Sequence, residues 1–193
     1  MKFKKFVPFF ALSVLLLMTA CSARTVIPEE VLQIPEFSPV YTSCNLWYDA
    51  QGMIRSENIQ KGTILPFGSE VEFMECTAEE IRFRRSADRK VFCIRYEREA
   101  HLLPVEEFIK RVFVLRNEKD LVMGIRPIVR EKIKRGIVEK GMTRQEVLLA
   151  FGSPAAARTP SETADTWTFW VDEGVTKKVV FFNNRVIDII QLD

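Results

Sequence analysis

The sequence predicts an α+β protein, a small antiparallel β barrel-like domain followed by a two-layer module of two helices and three strands. Three observations lead there. Short alternating apolar and polar runs, CNLWYD, EVEFME, EIRFRR and KVFCIRY, recur between turn signals in the middle of the chain. Near the carboxy terminus several helix-boundary signals fall within one short stretch and precede three aromatic and β-branched runs. The 15 Phe among 193 residues cluster in VFCIRY, RVFV, TFWV and VVFFNN, which favours packed sheets over long helices.

At the amino terminus MKFKKF is a positive n-region, and VPFFALSVLLLM is apolar but too short to span a bilayer comfortably. The segment reads as a signal rather than an anchor. It ends Met18-Thr19-Ala20-Cys21, with small residues directly before a cysteine. This resembles the lipobox of bacterial lipoproteins, which implies a signal peptide over 1–20, cleavage before Cys21 and a lipid on that cysteine. The competing reading is an ordinary secretory signal cut nearby, with Cys21 incidental. Ser22 follows where Asp commonly retains lipoproteins in the inner membrane, so the resemblance implies sorting to the outer membrane, facing the periplasm. Residues 21–39, rich in Pro and Glu, are expected to form a tether.

Residues 40–123 are expected to be the small, mostly β domain. Turn signals at Asp49 to Gly52, Pro66 to Ser69 and Ser86 to Asp88 separate its runs. The stretch KGTILPFGSEVEFMECTAEEIRF resembles, weakly, the meander of an SH3-like barrel. Val105, Phe108, Ile109 and Val112 stand at helical spacing, predicting a helix that closes the domain before a link at Asn117 to Asp120. Trp47, Tyr48 and Phe67 could line a groove on such a domain, although core positions suit three aromatics better.

Residues 124–193 are expected to be the ααβββ module. Ile128, Ile133 and Ile137 lie broadly on one helical face after Pro127. Thr143 and Glu146 form a capping box for RQEVLLAF, Met142 and Val147 a staple, and Gly152 with Pro154 a stop. DTWTFWV, KKVVFFNN and RVIDIIQL then read as an antiparallel meander that turns at Asp172 to Thr176 and at Asn183-Asn184. The phrase KGMTRQEVLLAFGSP with the later TWTFW resembles the BamE (SmpA/OmlA) family of outer-membrane lipoproteins, through Gly141, Met142, Thr143, Val147, Gly152, Pro154, Trp167 and Phe181 or Phe182. The resemblance covers little more than a third of the chain. It implies a scaffold role beside the machinery that folds outer-membrane barrels.

The strands of this module are apolar on both faces, more than its two helices can cover. Trp170, Phe182 and Ile190 are therefore the candidate interaction face, set against either the middle domain or a partner.

Charge and composition narrow the function. The formal charge of +2 includes Lys2, Lys4 and Lys5 of the signal, so the remainder is near neutral and no nucleic-acid partner is expected. Arg82, Arg84 and Arg85 are interleaved with acids and read as a solvated strand face ahead of an anion site. Cys44, Cys76 and Cys93 are structural, with Cys76 and Cys93 near enough in strand order to pair. No metal spacing or phosphate loop occurs, and one histidine, His101, supports no Ser-His-Asp arrangement, so neither catalysis nor a cofactor is expected. The leading expectation is a non-catalytic envelope lipoprotein, held to the membrane by lipid on Cys21, that supports outer-membrane components through a protein partner. The alternatives are a periplasmic module binding a peptide, glycan or lipid head group, and an inhibitor-like protein acting through its sheet.

Overall fold

The structure is a computed structural model and describes residues 24–159 and 161–192. The signal peptide, Cys21 and Ser22 lie outside the described residues, and with them the expectations about lipid and sorting. Two sheets are found, one of eight strands and one of three.

The chain opens with α1 (Pro28–Val31), whose proline occupies the first turn where a missing N–H costs nothing. Four short strands follow: β1 (Val40–Thr42), β2 (Leu46–Tyr48), β3 (Met53–Arg55) and β4 (Thr63–Leu65). Three longer ones come next, β5 (Glu70–Cys76), β6 (Glu80–Arg85) and β7 (Val91–Arg95). Alternation places Ile81 and Phe83 of β6 in the core and leaves Arg82 exposed. Two helices, α2 (Arg98–His101) and α3 (Val105–Val112), precede the two-residue β8 (Phe113–Val114).

Val105, Phe108, Ile109 and Val112 are all buried, as their spacing requires. The expected closing helix is shorter than its apolar run, because at Phe113 the backbone turns extended and the chain pairs with β1. The sheet order is β4-β2-β3-β7-β6-β5-β1-β8. It is not wholly antiparallel as expected, since β3 runs parallel to β7.

The segment expected as a tether is docked from Arg24 onward. Ala78 N–H donates to the Arg24 carbonyl at 3.0 Å and Val26 N–H to the Cys76 carbonyl at 2.9 Å, and Thr25 bridges Thr77. Val26 is buried, and Val31, Leu32 and Ile34 pack on the same core. Composition had pointed to the Pro and Glu residues, whereas the apolar residues between them decide the outcome by burial.

After α4 (Glu118–Leu121), capped by the Asn117 side chain, come α5 (Pro127–Lys134) and α6 (Arg144–Phe151). The buried face of α5 is Val129 with Ile133, while Ile128 is 62% exposed. Five residues at about 100° each put Ile128 well off the face of Ile133, whereas Val129 stands one turn from it. The capping box of Thr143 and Glu146 is complete in both directions. Gly152 stops α6 at φ 76°, ψ −168°, a region open essentially to glycine alone, rather than in the left-handed helical conformation expected.

The second sheet consists of β9 (Thr166–Asp172), β10 (Val175–Phe182) and β11 (Arg185–Leu192), in the order β11-β10-β9. Asn183 and Asn184, at φ 46° and 62°, make the tight turn between the last two.

The protein is mostly β, which corrects the expected α+β class. Helices make up about 22% of the described residues, and the curled eight-stranded sheet is the main element. Nor do two helices over three strands close a two-layer module. At eight residues each, α5 and α6 are only about 12 Å long by the 1.5 Å rise per residue, and the core under the second sheet is completed by Trp47 and Phe67 from the first.

Candidate interaction face

Where the two sheets meet, two buried asparagines do the joining. Asn45 lies just before β2, and its side-chain amide donates to the carbonyls of Ile133 at 2.6 Å and Ala150 at 3.2 Å while its oxygen accepts from Phe67 N–H at 3.0 Å. Its backbone N–H donates to Leu149 O. Asn58, at φ 52°, donates to the carbonyls of Asn45 and Phe151 and accepts from Trp47 N–H. The last turn of a helix leaves its carbonyls without intrahelical partners. Here Leu148 O is met by Gly152 N–H, and Leu149, Ala150 and Phe151 are met by the asparagines. The first sheet thus caps α6.

The face of β9–β11 turned to this joint carries Trp167, Phe169, Val179, Phe181 and Val186, all buried. The opposite face is where Trp170, Phe182 and Ile190 stand. Register confirms their shared side: Trp170 pairs with Thr176, Ile190 with Lys178, and Thr176, Lys178 and Phe182 alternate along β10. Their surroundings differ. Trp170 is half-buried beneath Arg158, 4.9 Å from its ring, and its carbonyl accepts from Gln60 N–H of the first sheet's loop. Thr168 beside it is buried, held by Thr159 and Ala155. Phe182 is 65% exposed and Ile190 41%, with Ile187, left over where the β10–β11 register shifts, exposed between them along the strand.

The two edges of the sheet differ in the same sense. β9 is covered by Ala155, Thr159 and Gln60. On β11, Val186 exchanges backbone bonds with Gly141 and Met142, and beyond it no further strand pairs among the described residues. Lys140 pairs with Asp188 at the end of that cover.

Other residues singled out from sequence have structural places. Trp47, Tyr48 and Phe67 are buried. Arg82, Arg84 and Arg85 pair with Glu80, Glu72 and Asp88. Cys44, Cys76 and Cys93 are free thiols, so Cys76 and Cys93 do not pair here; burial pushes Cys44 and Cys76 up to about 11 and Cys93 upward as well. Thiols so placed stay protonated at neutral pH and are poor nucleophiles. His101 is stacked on Tyr96 and packed on Phe108, and burial pushes its imidazole below the ordinary range.

A cleft of about 560 Å³ runs between the sheets, with Trp47, Met53 and Arg95 among its walls. Its Lys61 is held by Asp172 at 2.9 Å and its Arg55 by Glu173 at 3.5 Å, so these charges hold the β9–β10 turn against the first sheet. Sequence reasoning gave no sign of the asparagine joint, whose partners lie 11 to 105 positions apart. Among the described residues no helix is long and apolar enough to cross a membrane, and no cluster of three His, Cys, Asp or Glu could hold a metal ion. Comparison with protein-family models, with curated proteins and with solved structures finds no match to this chain.

Proposed function

We propose that the protein is a non-catalytic envelope lipoprotein, anchored through Cys21 at the outer membrane and facing the periplasm, that steadies an outer-membrane protein partner through the outer face of β9–β11. One observation carries this reading. Phe182, Ile187 and Ile190 stay exposed on a sheet whose other face, β9 edge and Trp170 end are all covered from within the chain. Large apolar side chains grouped at an uncovered part of a sheet are characteristic of a contact surface. The likeness of KGMTRQEVLLAFGSP and TWTFW to the BamE family points toward the same surroundings.

The test is a photo-crosslinking residue at Phe182 in the lipidated protein in intact cells. A crosslink to an outer-membrane protein, lost when Ile190→Arg is added, is the expected result. A crosslink to a periplasmic enzyme whose activity falls on binding would replace the scaffold with an inhibitor, and absence of any protein crosslink would overturn both.

A further inference from the structure

The docked position of Arg24 sets a short distance to the lipid that the reading above places on Cys21. Three peptide units of 3.8 Å allow at most about 11 Å between the Cα atoms of Cys21 and Arg24. Arg24 is not free to move outward, because its carbonyl accepts from Ala78 N–H and its guanidinium pairs with Glu106 at 2.5 Å. Two residues on, Val26 is in the core. Lengthening the connection would mean stripping Val26 out of that core and peeling α1 from α3.

We infer that the body of the protein sits directly against the lipid surface, with its Arg24 end turned toward it. This rests on lipidation of Cys21. The side chains around Arg24 suit that position. Ile27, three residues along, is half exposed. Leu102 is 72% exposed on the turn between α2 and α3, and Arg98, the first residue of α2, and Pro104, the last residue before α3, line one concavity with Arg24. Leu102 also holds a left-handed backbone, φ 57°, ψ 28°, where glycine would fit without strain. A bulky apolar side chain thus stands in water on a backbone that disfavours it, and the Leu102 N–H donates to the carbonyl of Arg98, which shares the concavity with Arg24.

Charge does not draw this end to a membrane. Glu79, Glu97, Glu99 and Glu106 outnumber Arg24 and Arg98 around the concavity. The lipid supplies the attraction and the short connection supplies the orientation, so the chain without lipid does not bind vesicles.

The experiment uses the lipidated protein on vesicles of phosphatidylethanolamine and phosphatidylcholine, with an environment-sensitive fluorophore on Leu102→Cys and, separately, on Met123→Cys. Both positions are exposed, and the native thiols are buried, so labelling is confined to the new cysteine. Emission from position 102 is expected to shift to the blue and at least double on membrane binding, while position 123 stays unchanged. A Gly/Ser spacer of about 12 residues before Arg24, about 19 Å in root-mean-square span, is expected to abolish the shift without loss of flotation. Flotation with no shift at position 102 would overturn the seat and leave the anchor standing. A shift at both positions, or one that survives the spacer, would overturn the orientation. Failure to float would remove the anchor and the seat together.

Discussion

The two sheets reach closure by different means. The eight-stranded sheet buries Ile54, Leu65, Ile81, Phe83, Phe92 and Ile94 beneath α3 and draws its core from residues 26 to 113. The three-stranded sheet rests on a core that includes Trp47 and Phe67, and the helix beside it ends on the amides of Asn45 and Asn58. One sheet therefore closes on itself while the other is completed by its neighbour. Both sheets also expose apolar side chains, Met74 and Val91 on the first beside the acid-paired arginines of β6, and Phe182, Ile187 and Ile190 on the second.

Trp47 is the place to break this arrangement. It packs on Phe151, with ring centroids 6.2 Å apart, and leaves so little room that a Cβ on Gly136 would meet its ring at 2.7 Å. Trp47→Ala is expected to cost about 4 kcal/mol, the usual range for a buried tryptophan. Hydrogen exchange should show protection lost in β9–β11 while β5–β7 remain protected. Equal loss in both sheets would mean that neither closes independently.

Gly152 probes the same joint from the helix side. A Cβ there would approach Asn58 Nδ2 at 3.0 Å and Cys44 Sγ at 3.2 Å on a backbone that strains any side chain. Gly152→Ala is expected to cost about 2 kcal/mol in denaturant unfolding. A neutral result would show that the asparagines have room to shift.

What was legible in the sequence was local. The spacing of α3, the capping box of α6 and the Asn183-Asn184 turn depend on neighbours within about one helical turn or one hairpin, and pattern reports such neighbours. Strand pairing across the chain leaves no local trace, so the parallel contact of β3 with β7 and the short β8 were not foreseen. The docking of Val26 on β5 was missed because composition describes a segment's average and not its one buried side chain. For the candidate face, the apolar residues on both sides of β10 were visible as a surplus. The cover over Trp170 comes from Arg158 in an irregular loop, which has no periodicity to read.

The packing of the first core can be probed by pH. His101, the only histidine, lies against that core, with burial pushing its pKa down and Glu57 and Arg111 acting in opposite directions. The folded state therefore binds its proton less readily than the unfolded state. Stability is full above the ordinary histidine range, near pH 6.5, and falls as pH drops from there through the lower folded value. His101→Phe should flatten thermal stability between about pH 7 and pH 5, where carboxylates contribute little. A slope unchanged by the substitution would assign the effect elsewhere.

The smallest expected effect on stability tests the largest claim about the outer face. Phe182 and Ile190 are both exposed, so Phe182→Thr with Ile190→Thr should alter unfolding by no more than about 0.5 kcal/mol. Threonine keeps the β preference of both positions, so the strands have no local reason to separate. If the face only completes the fold, truncating two large apolar groups on it must lower stability well beyond that. If it is a contact surface, the purified protein is unchanged and the loss appears in cells, as disappearance of the partner crosslink from an adjacent position such as Lys178. Unchanged stability with an unchanged crosslink would move the contact to the open edge of β11, where backbone groups rather than these side chains would hold the partner.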